Sequence, residues 1–217
     1  AELGQKWLRH FGLDLLDGIG STEMLHIFIS NEAGQVRYGT SGKPVPGYRM
    51  RLVNDAGAEA ALGEVADLYI NGPTAASGYW NNRDKTRATF QGEWVRSGDK
   101  YSLDADGYYT YAGRSDDMMK VSGMYVSPFE VEGVLMSHPA VLEAAVVGHN
   151  DEDRLLKPKA FIVLKQEQAG SPALATELQQ LVRSRLAPHK YPRWIEFVAE
   201  LPKTATGKIQ RFKLRAV

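Results

Sequence analysis

The spacing of apolar positions changes part-way along the chain. Before about residue 116 they fall in short runs broken by glycine, asparagine and proline, which predicts strands joined by turns. Arg49–Val53 alternates and stops at Asn54-Asp55-Ala56-Gly57. Glu64–Ile70 predicts a second strand, halted by Asn71-Gly72-Pro73, and Tyr108–Tyr111 a third, closed by Gly113. Leu13–Leu16 predicts another, leading into the glycine turn Gly18-Ile19-Gly20. From about residue 116 onward helices and strands alternate. Ser127-Pro128-Phe129-Glu130 supplies a cap, a proline in the first turn and a reciprocal glutamate; Val131, Val134 and Leu135 then form a stripe ending before Pro139. Ser171-Pro172 opens a second helix with Leu174, Leu178, Leu181, Val182 and Leu186 on one face. Val141–Val147, Lys159–Leu164 and Trp194–Val198 predict strands, the last followed by a polar, basic loop. The expected fold is mixed α/β, with a β-rich part over 1–115 and a small α+β domain over 116–217.

Composition narrows the function classes. With 217 residues, 43% hydrophobic and 24% charged, the chain can bury a sizeable core and is neither disordered nor a coiled coil. It has no cysteine, which excludes disulfides, thiolate-held zinc and a cysteine nucleophile. The longest apolar runs, such as Ala144–Val147 and Phe161–Leu164, are too short to span a bilayer. A first residue of Ala1 rather than Met predicts a fragment lacking an upstream segment. No Gly-x-Ser-x-Gly elbow occurs and no histidine pair has metal-ligand spacing, so serine hydrolysis and a histidine-held metal find no support.

Charge adds a local signal that the total hides. Lys and Arg balance Asp and Glu at 26 each, yet from Arg183 onward nine basic residues face two acidic ones. Such a segment suits a polyanion (a nucleotide, coenzyme A or nucleic acid) or is a solvated basic tail.

Three stretches carry candidate chemistry. Gly18-x-Gly20-x-x-Glu23 lacks the third glycine and the following acidic residue of a dinucleotide fingerprint. It leaves Ser21, Thr22 and Glu23 at a strand end, where hydroxyls can meet phosphate oxygens and a carboxylate can hold Mg²⁺; a helix cap or plain turn needs the same residues. Thr204-Ala205-Thr206-Gly207-Lys208-Ile209 is not a Walker loop, because Pro202 and Ile209 stand where glycine and Ser/Thr are required. Lys208 can still bring one positive charge to a developing oxyanion, although a Gly-Lys pair also suits a simple exposed turn. In Gly113-Arg114-Ser115-Asp116-Asp117, adjacent carboxylates on an extended chain point apart, so a flexible inter-domain linker explains Asp116 better than an acid pair, with Arg114 free for phosphate or ribose. His138, beside Pro139, reads as a helix-end residue.

In this order the motifs resemble the adenylate-forming superfamily of acyl-CoA ligases, luciferases and peptide-synthetase adenylation domains. The carriers are Gly20-Ser21-Thr22-Glu23, Gly78-Tyr79-Trp80 with Thr86 and Phe90, Ser97-Gly98-Asp99, Gly113 through Gly123 with Pro128 and Glu130-Val131-Glu132, and Pro202 through Ile209. Asp17 through Phe28 resembles the benzoate–CoA ligase branch. The resemblance implies that 1–115 is the C-terminal portion of a large adenylation domain and that 116–217 is a small mobile domain hinged near Asp116. It implies a two-step ligation of an aryl acid to CoA through an acyl-adenylate, with ATP, Mg²⁺ and CoA, in a cytoplasmic enzyme with no membrane or nucleic-acid partner. Ser21 and Thr22 would touch phosphate, Glu23 would hold Mg²⁺, Asp99 would accept from the ribose hydroxyls, and Arg114 would lie near ribose or phosphate. Lys208 would be catalytic, and Ser122 and Gly123 would approach CoA. Gly20, His26 and Ile27 would line an aryl pocket, with glycine clearing room and imidazole offering a donor. Ile19 stands where relatives often carry tyrosine, so no ring comes from that position.

The phosphate loop and most of the acyl pocket would then lie upstream of Ala1, leaving the fragment inactive alone. A peptide-synthetase module would need a carrier domain, and none follows before Val217. A non-catalytic nucleotide- or nucleic-acid-binding module would use the basic segment, which has little aromatic interleaving.

Overall fold

The computed structural model describes residues 2–166 and 168–215; Ala1 and Val217, from which the chain-end expectations start, lie outside them. The chain divides into two compact units, Ala1–Ser115 and Asp116–Val217.

The first unit opens with helix α1 (Glu2–Phe11). Strands β1 (Gly18–Gly20), β2 (Ile27–Ser30) and β3 (Lys43–Pro44) form a small antiparallel sheet. A larger sheet contains β4 (Arg49–Val53), β5 (Ala66–Asn71), β6 (Phe90–Gln91), β7 (Trp94–Leu103) and β8 (Tyr109–Arg114), with β7 paired to β5, β6 and β8. Helix α2 (Arg83–Thr89) leads into β6. Met24, Phe28 and Ile29 from the small-sheet region pack with Leu68, Ile70, Val95 and Tyr101 of the larger sheet in one core. Burying these apolar faces is what holds the glycine-rich turns between them in place.

Two expectations change here. Leu13–Leu16 is not a strand; the strand is the glycine run Gly18–Gly20 itself, which pairs with β2 through backbone groups while Leu13 and Leu16 stay exposed. Gly113 does not close β8 but sits inside it, opposite Lys100.

In the second unit, β9 (Met119–Val121) and β10 (Met124–Val126) form a hairpin. Its central residues Ser122 and Gly123 both have positive φ, 49° and 82°, the requirement of a type I′ turn. Just before this hairpin, Asp116 and Asp117 lie in a turn rather than an extended chain. Helix α3 (Pro128–Met136) starts at Ser127, whose hydroxyl accepts from the Glu130 N–H. Strands β11 (Val141–Asn150) and β12 (Leu156–Leu164) are antiparallel, and β13 (Trp194–Phe197) joins β12 in parallel after helix α4 (Pro172–Arg185). Short helix α5 (Arg211–Leu214) follows.

This sheet is covered on both faces. Ala144, Val146, Ala160 and Ile162 pack with Val131, Leu135, Leu178 and Val182 of the two helices. The alternate positions Ala145, Val147, Phe161 and Val163 pack with Leu201, Ile209 and Leu214 of the C-terminal segment. Period-2 side chains buried on both sides explain why these strands read as unbroken apolar runs.

Candidate functional site

In the first unit the Ser21-Thr22-Glu23 turn is shaped by its own hydroxyl. Ser21 Oγ accepts from the Met24 N–H at 3.3 Å and caps a 3₁₀ turn over Thr22–Met24. Thr22 is exposed at its start and Met24 is fully buried beneath it. The segment after β5 then folds over this turn. Ala76 N–H donates to the Glu23 carbonyl at 2.8 Å, and the Thr74 hydroxyl donates to the Met24 carbonyl at 2.6 Å.

The same segment supplies Tyr79, whose hydroxyl donates to Glu23 Oε1 at 2.5 Å. Burial pushes the Glu23 carboxyl up, but the Tyr79 hydroxyl, its own backbone, Ser21 and the charge of Lys85 outweigh burial and hold it below the usual carboxylate range. Glu23 is thus an anion near neutral pH. Tyr79 is fixed in turn: its N–H donates to Thr86 Oγ1 at 2.9 Å and its ring meets Phe90 edge-on at 5.5 Å. Sequence reasoning gave Tyr79 no role of its own; only its place in the Gly78-Tyr79-Trp80 motif pointed to it.

A folded carboxyl held below its unfolded value contributes stability that is present above the unfolded pKa and is lost as pH falls through the lowered folded value. Tyr79→Phe removes a lowering contact, so the Glu23 carboxyl is expected to titrate at higher pH. Carboxyl-detected NMR titration checks this, and an unchanged midpoint would contradict the hydrogen bond's role.

Asp99 and Arg114 face each other across β7 and β8, with Arg114 Nη1 3.3 Å from Asp99 Oδ1. Gly98, at φ 76°, lets the guanidinium lie against the backbone, since a Cβ there would sit 3.0 Å from Arg114 Nη2. Burial and the contact with Glu23 raise the Tyr79 hydroxyl, and the charge of Arg114 opposes that rise.

His26 is more committed than expected. Its Nδ1 lies 2.7 Å from the Ile27 carbonyl and its Nε2 3.0 Å from the Tyr48 hydroxyl, which also meets Thr74 at 2.7 Å. Both nitrogens are therefore engaged within the unit, and the donor expected for a ligand is already used. Gly20, opposite Ile27 beside a register shift, has a backbone reason to be glycine: a Cβ would lie 2.6 Å from the His26 carbonyl oxygen. Ile27 is half-exposed on β2.

Glu23 offers Mg²⁺ a single ionised carboxylate, and no group of three His, Cys, Asp or Glu that could hold a metal occurs among the described residues. That donor set fits an ion completed by phosphate oxygens of a bound nucleotide, not an all-protein cage.

In the second unit Lys208 sits on a tight loop. Thr204 N–H donates to the Lys208 carbonyl at 2.8 Å, Lys208 N–H donates to Thr204 Oγ1 at 3.1 Å, and Gly207 takes φ 82°. Lys203 and Ile209 bridge at the loop's base. Lys208 is exposed, and no described carboxylate pairs with it. Much of the surrounding positive charge is paired instead: Lys190 with Glu130 (2.6 Å), Lys203 with Glu143 (2.5 Å), Arg211 with Glu132 (2.8 Å) and Arg215 with Asp117 (2.5 Å). Four of the nine basic residues from Arg183 onward are thus ion-paired within the unit. His138 does close a helix end, its Nδ1 accepting from the Ala140 N–H at 3.2 Å.

Comparison with known proteins bears on both units. Residues 1–80 match the family model of the AMP-binding enzymes, and residues 130–208 match the model of the AMP-binding enzyme C-terminal domain. The chain belongs to the AMP-binding enzymes. Within this family it is 66% identical over 216 residues to a benzoate–CoA ligase of Thauera aromatica, covering 99% of this chain and 41% of the relative. It is 56% identical to a 4-hydroxybenzoate–CoA/benzoate–CoA ligase of Rhodopseudomonas palustris, covering 40% of that protein. Among solved structures, a benzoate CoA ligase from Burkholderia xenovorans aligns with TM-score 0.89 at 64% identity, over 99% of this chain and 43% of that one. An anthranilate CoA ligase in complex with anthranoyl-AMP aligns with TM-score 0.92 at 57% identity, over 99% and 42%. The chain thus spans about two-fifths of the length of these AMP-binding relatives. No helix among its described residues is long and apolar enough to cross a membrane.

Proposed function

We propose that the chain is the C-terminal part of an AMP-forming aryl-CoA ligase, acting on benzoate or a closely related aryl acid. Residues 1–115 would end its large ATP- and acid-binding domain, and 116–217 would form its mobile small domain. The observation that carries this is the coexistence in one unit of the Asp99–Arg114 pair and the Glu23–Tyr79 pair, in a chain that also bears the solvent-facing Lys208.

In the first half-reaction a carboxylate oxygen of the acid attacks the α-phosphorus of ATP, and the bond to the departing pyrophosphate breaks. Ser21 and Thr22 would offer their hydroxyls to phosphate oxygens. Asp99 accepts from the ribose hydroxyls, and Arg114 donates to ribose or phosphate. A Mg²⁺ held partly by Glu23 would neutralise phosphate charge. Lys208 stabilises the negative charge spread over the reacting oxygens. Gly20, Ile27 and the C–H edge of His26 form part of the aryl wall, an apolar surface suited to a flat ring.

In the second half-reaction the CoA sulfur attacks the acyl carbon and AMP leaves. The Ser122-Gly123 turn brings bare backbone toward the pantetheine arm, and the sulfur is the coenzyme's, in keeping with a chain that has no cysteine. Two clamps support Asp116 as the hinge. Ser115 is held by the Gly98 carbonyl (2.9 Å) and by Asp67 (2.6 Å), whereas Asp117 is held by Arg211 (3.2 Å) and Arg215 (2.5 Å).

Pyrophosphate exchange by the protein carrying the upstream segment of its relatives, screened against aryl and alkyl acids, tests the reading. Exchange driven by benzoate-like acids is expected. Exchange driven only by alkyl or amino acids would overturn it.

A further inference from the structure

Arg211 lies three residues beyond Lys208, on α5, and its side chain is only 19% exposed. Its Nη2 reaches Glu132 Oε2 at 2.8 Å and Oε1 at 3.0 Å, with Nε at 3.2 Å. Its Nη1 reaches Asp117 Oδ2 at 3.2 Å, on the turn that follows Asp116. Glu132 is 4% exposed and also accepts from the Val146 N–H at 2.8 Å, so this carboxylate ties α3 to β11 as well. Arg215 donates to Asp117 Oδ1 and to the Asp116 carbonyl. Between Lys208 and Arg211 the chain has little room to shift, because Gln210 N–H donates to the Pro202 carbonyl and Ile209 packs with the apolar face of β11 and β12.

We propose that Arg211 is a positioning residue for Lys208: its planar fork, gripping Glu132 and Asp117 together, locks the base of the Lys208 loop to the turn beside the hinge. This inference rests on the roles proposed above for Lys208 and Asp116. Rotation at Asp116 would then carry the Lys208 loop with the small domain without slack. Apolar packing could hold a short helix in place; it does not require one cation to bridge an acid beside the hinge and a buried acid on α3. Lysine cannot do the same, since a single ammonium on a flexible stem lacks the fixed fork that spans both carboxylates.

The test uses the protein carrying the upstream segment, with Arg211→Lys, Asp117→Asn and Lys208→Ala compared. The expected result for Arg211→Lys and Asp117→Asn is an adenylation kcat lower by about tenfold to a hundredfold, as loss of alignment alone can produce. The KM for the acid stays unchanged, and so does thioester formation from supplied acyl-adenylate. Asp117→Asn keeps side-chain volume and leaves the Arg211–Glu132 contact, so it carries the test if Arg211→Lys does not fold. Full adenylation in both variants, beside its loss in Lys208→Ala, overturns the positioning role and leaves the proposed function standing. An equal fall of both half-reactions together with a lowered Tm means a purely structural contact and also overturns it. Retained adenylation in Lys208→Ala removes the function assigned to Lys208, and the inference falls with it.

Discussion

Lys208→Ala is expected to lower the adenylation half-reaction by about a hundredfold to a thousandfold, the loss seen when one preorganised charge-stabilising donor is removed. Thioester formation from supplied benzoyl-adenylate is expected to remain near the level of the unaltered enzyme. The asymmetry follows from the chemistry. On the proposed mechanism, charge would accumulate on the attacking and bridging oxygens in the first step, whereas the second would begin from a neutral acyl carbon after the small domain had turned. Lys208 is also well suited to a clean test: it is exposed, makes no ion pair with a described carboxylate, and its loop is held by backbone and threonine contacts that alanine leaves intact. Measuring the two half-reactions separately decides the matter, and equal loss in both would end the alternating-domain account.

Asp116→Pro should slow one half-reaction by at least about tenfold while sparing the other, a barrier change of about 1.4 kcal/mol. Proline fixes φ near one value and restricts the residue before it, here Ser115, which the Gly98 carbonyl and Asp67 already hold. A hinge that must take two backbone conformations then reaches only one. Single-turnover kinetics of each step checks this; unchanged turnover would remove Asp116 from the role.

Much of the second unit was legible in the sequence because its signals are local. Ser127 and Ser171 cap the helices they were expected to cap, and Val141–Val147 and Lys159–Leu164 lie within β11 and β12. The first unit was harder for identifiable reasons. Strand β7 carries Arg96, Asp99 and Lys100, which break any alternating pattern; they fit there because Asp67 meets Arg96 at 2.7 Å and Lys100 at 3.3 Å, and Arg114 meets Asp99 at 3.3 Å. Helix α2 has no buried residue, only the Asn82 cap, so no apolar stripe announces it. The Leu13–Leu16 run misled because apolar content was mistaken for pairing, when the glycines beyond it make the strand.

The candidate site divides the same way. Its residues were named from motifs, but their partnerships were invisible: Glu23 with Tyr79, His26 with Tyr48, and Asp117 with Arg211 are all far apart in sequence. Spacing alone cannot show that an imidazole has both nitrogens engaged, or that Lys190, Lys203, Arg211 and Arg215 of the basic segment meet upstream carboxylates.

The sheet of the second unit also constrains the order in which the chain can fold during synthesis. Its helices α3 and α4 are made beside or between the strands, so one face can be covered early. The other face, with Ala145, Val147, Phe161 and Val163, waits for Leu201, Ile209 and Leu214, all downstream of β13. A nascent chain that has emerged only as far as β13 therefore presents an uncovered apolar face, a surface open to association with other chains. The segment that carries Lys208 is also the one that seals that face, so the Lys208 loop takes shape in the same folding step that ends this exposure.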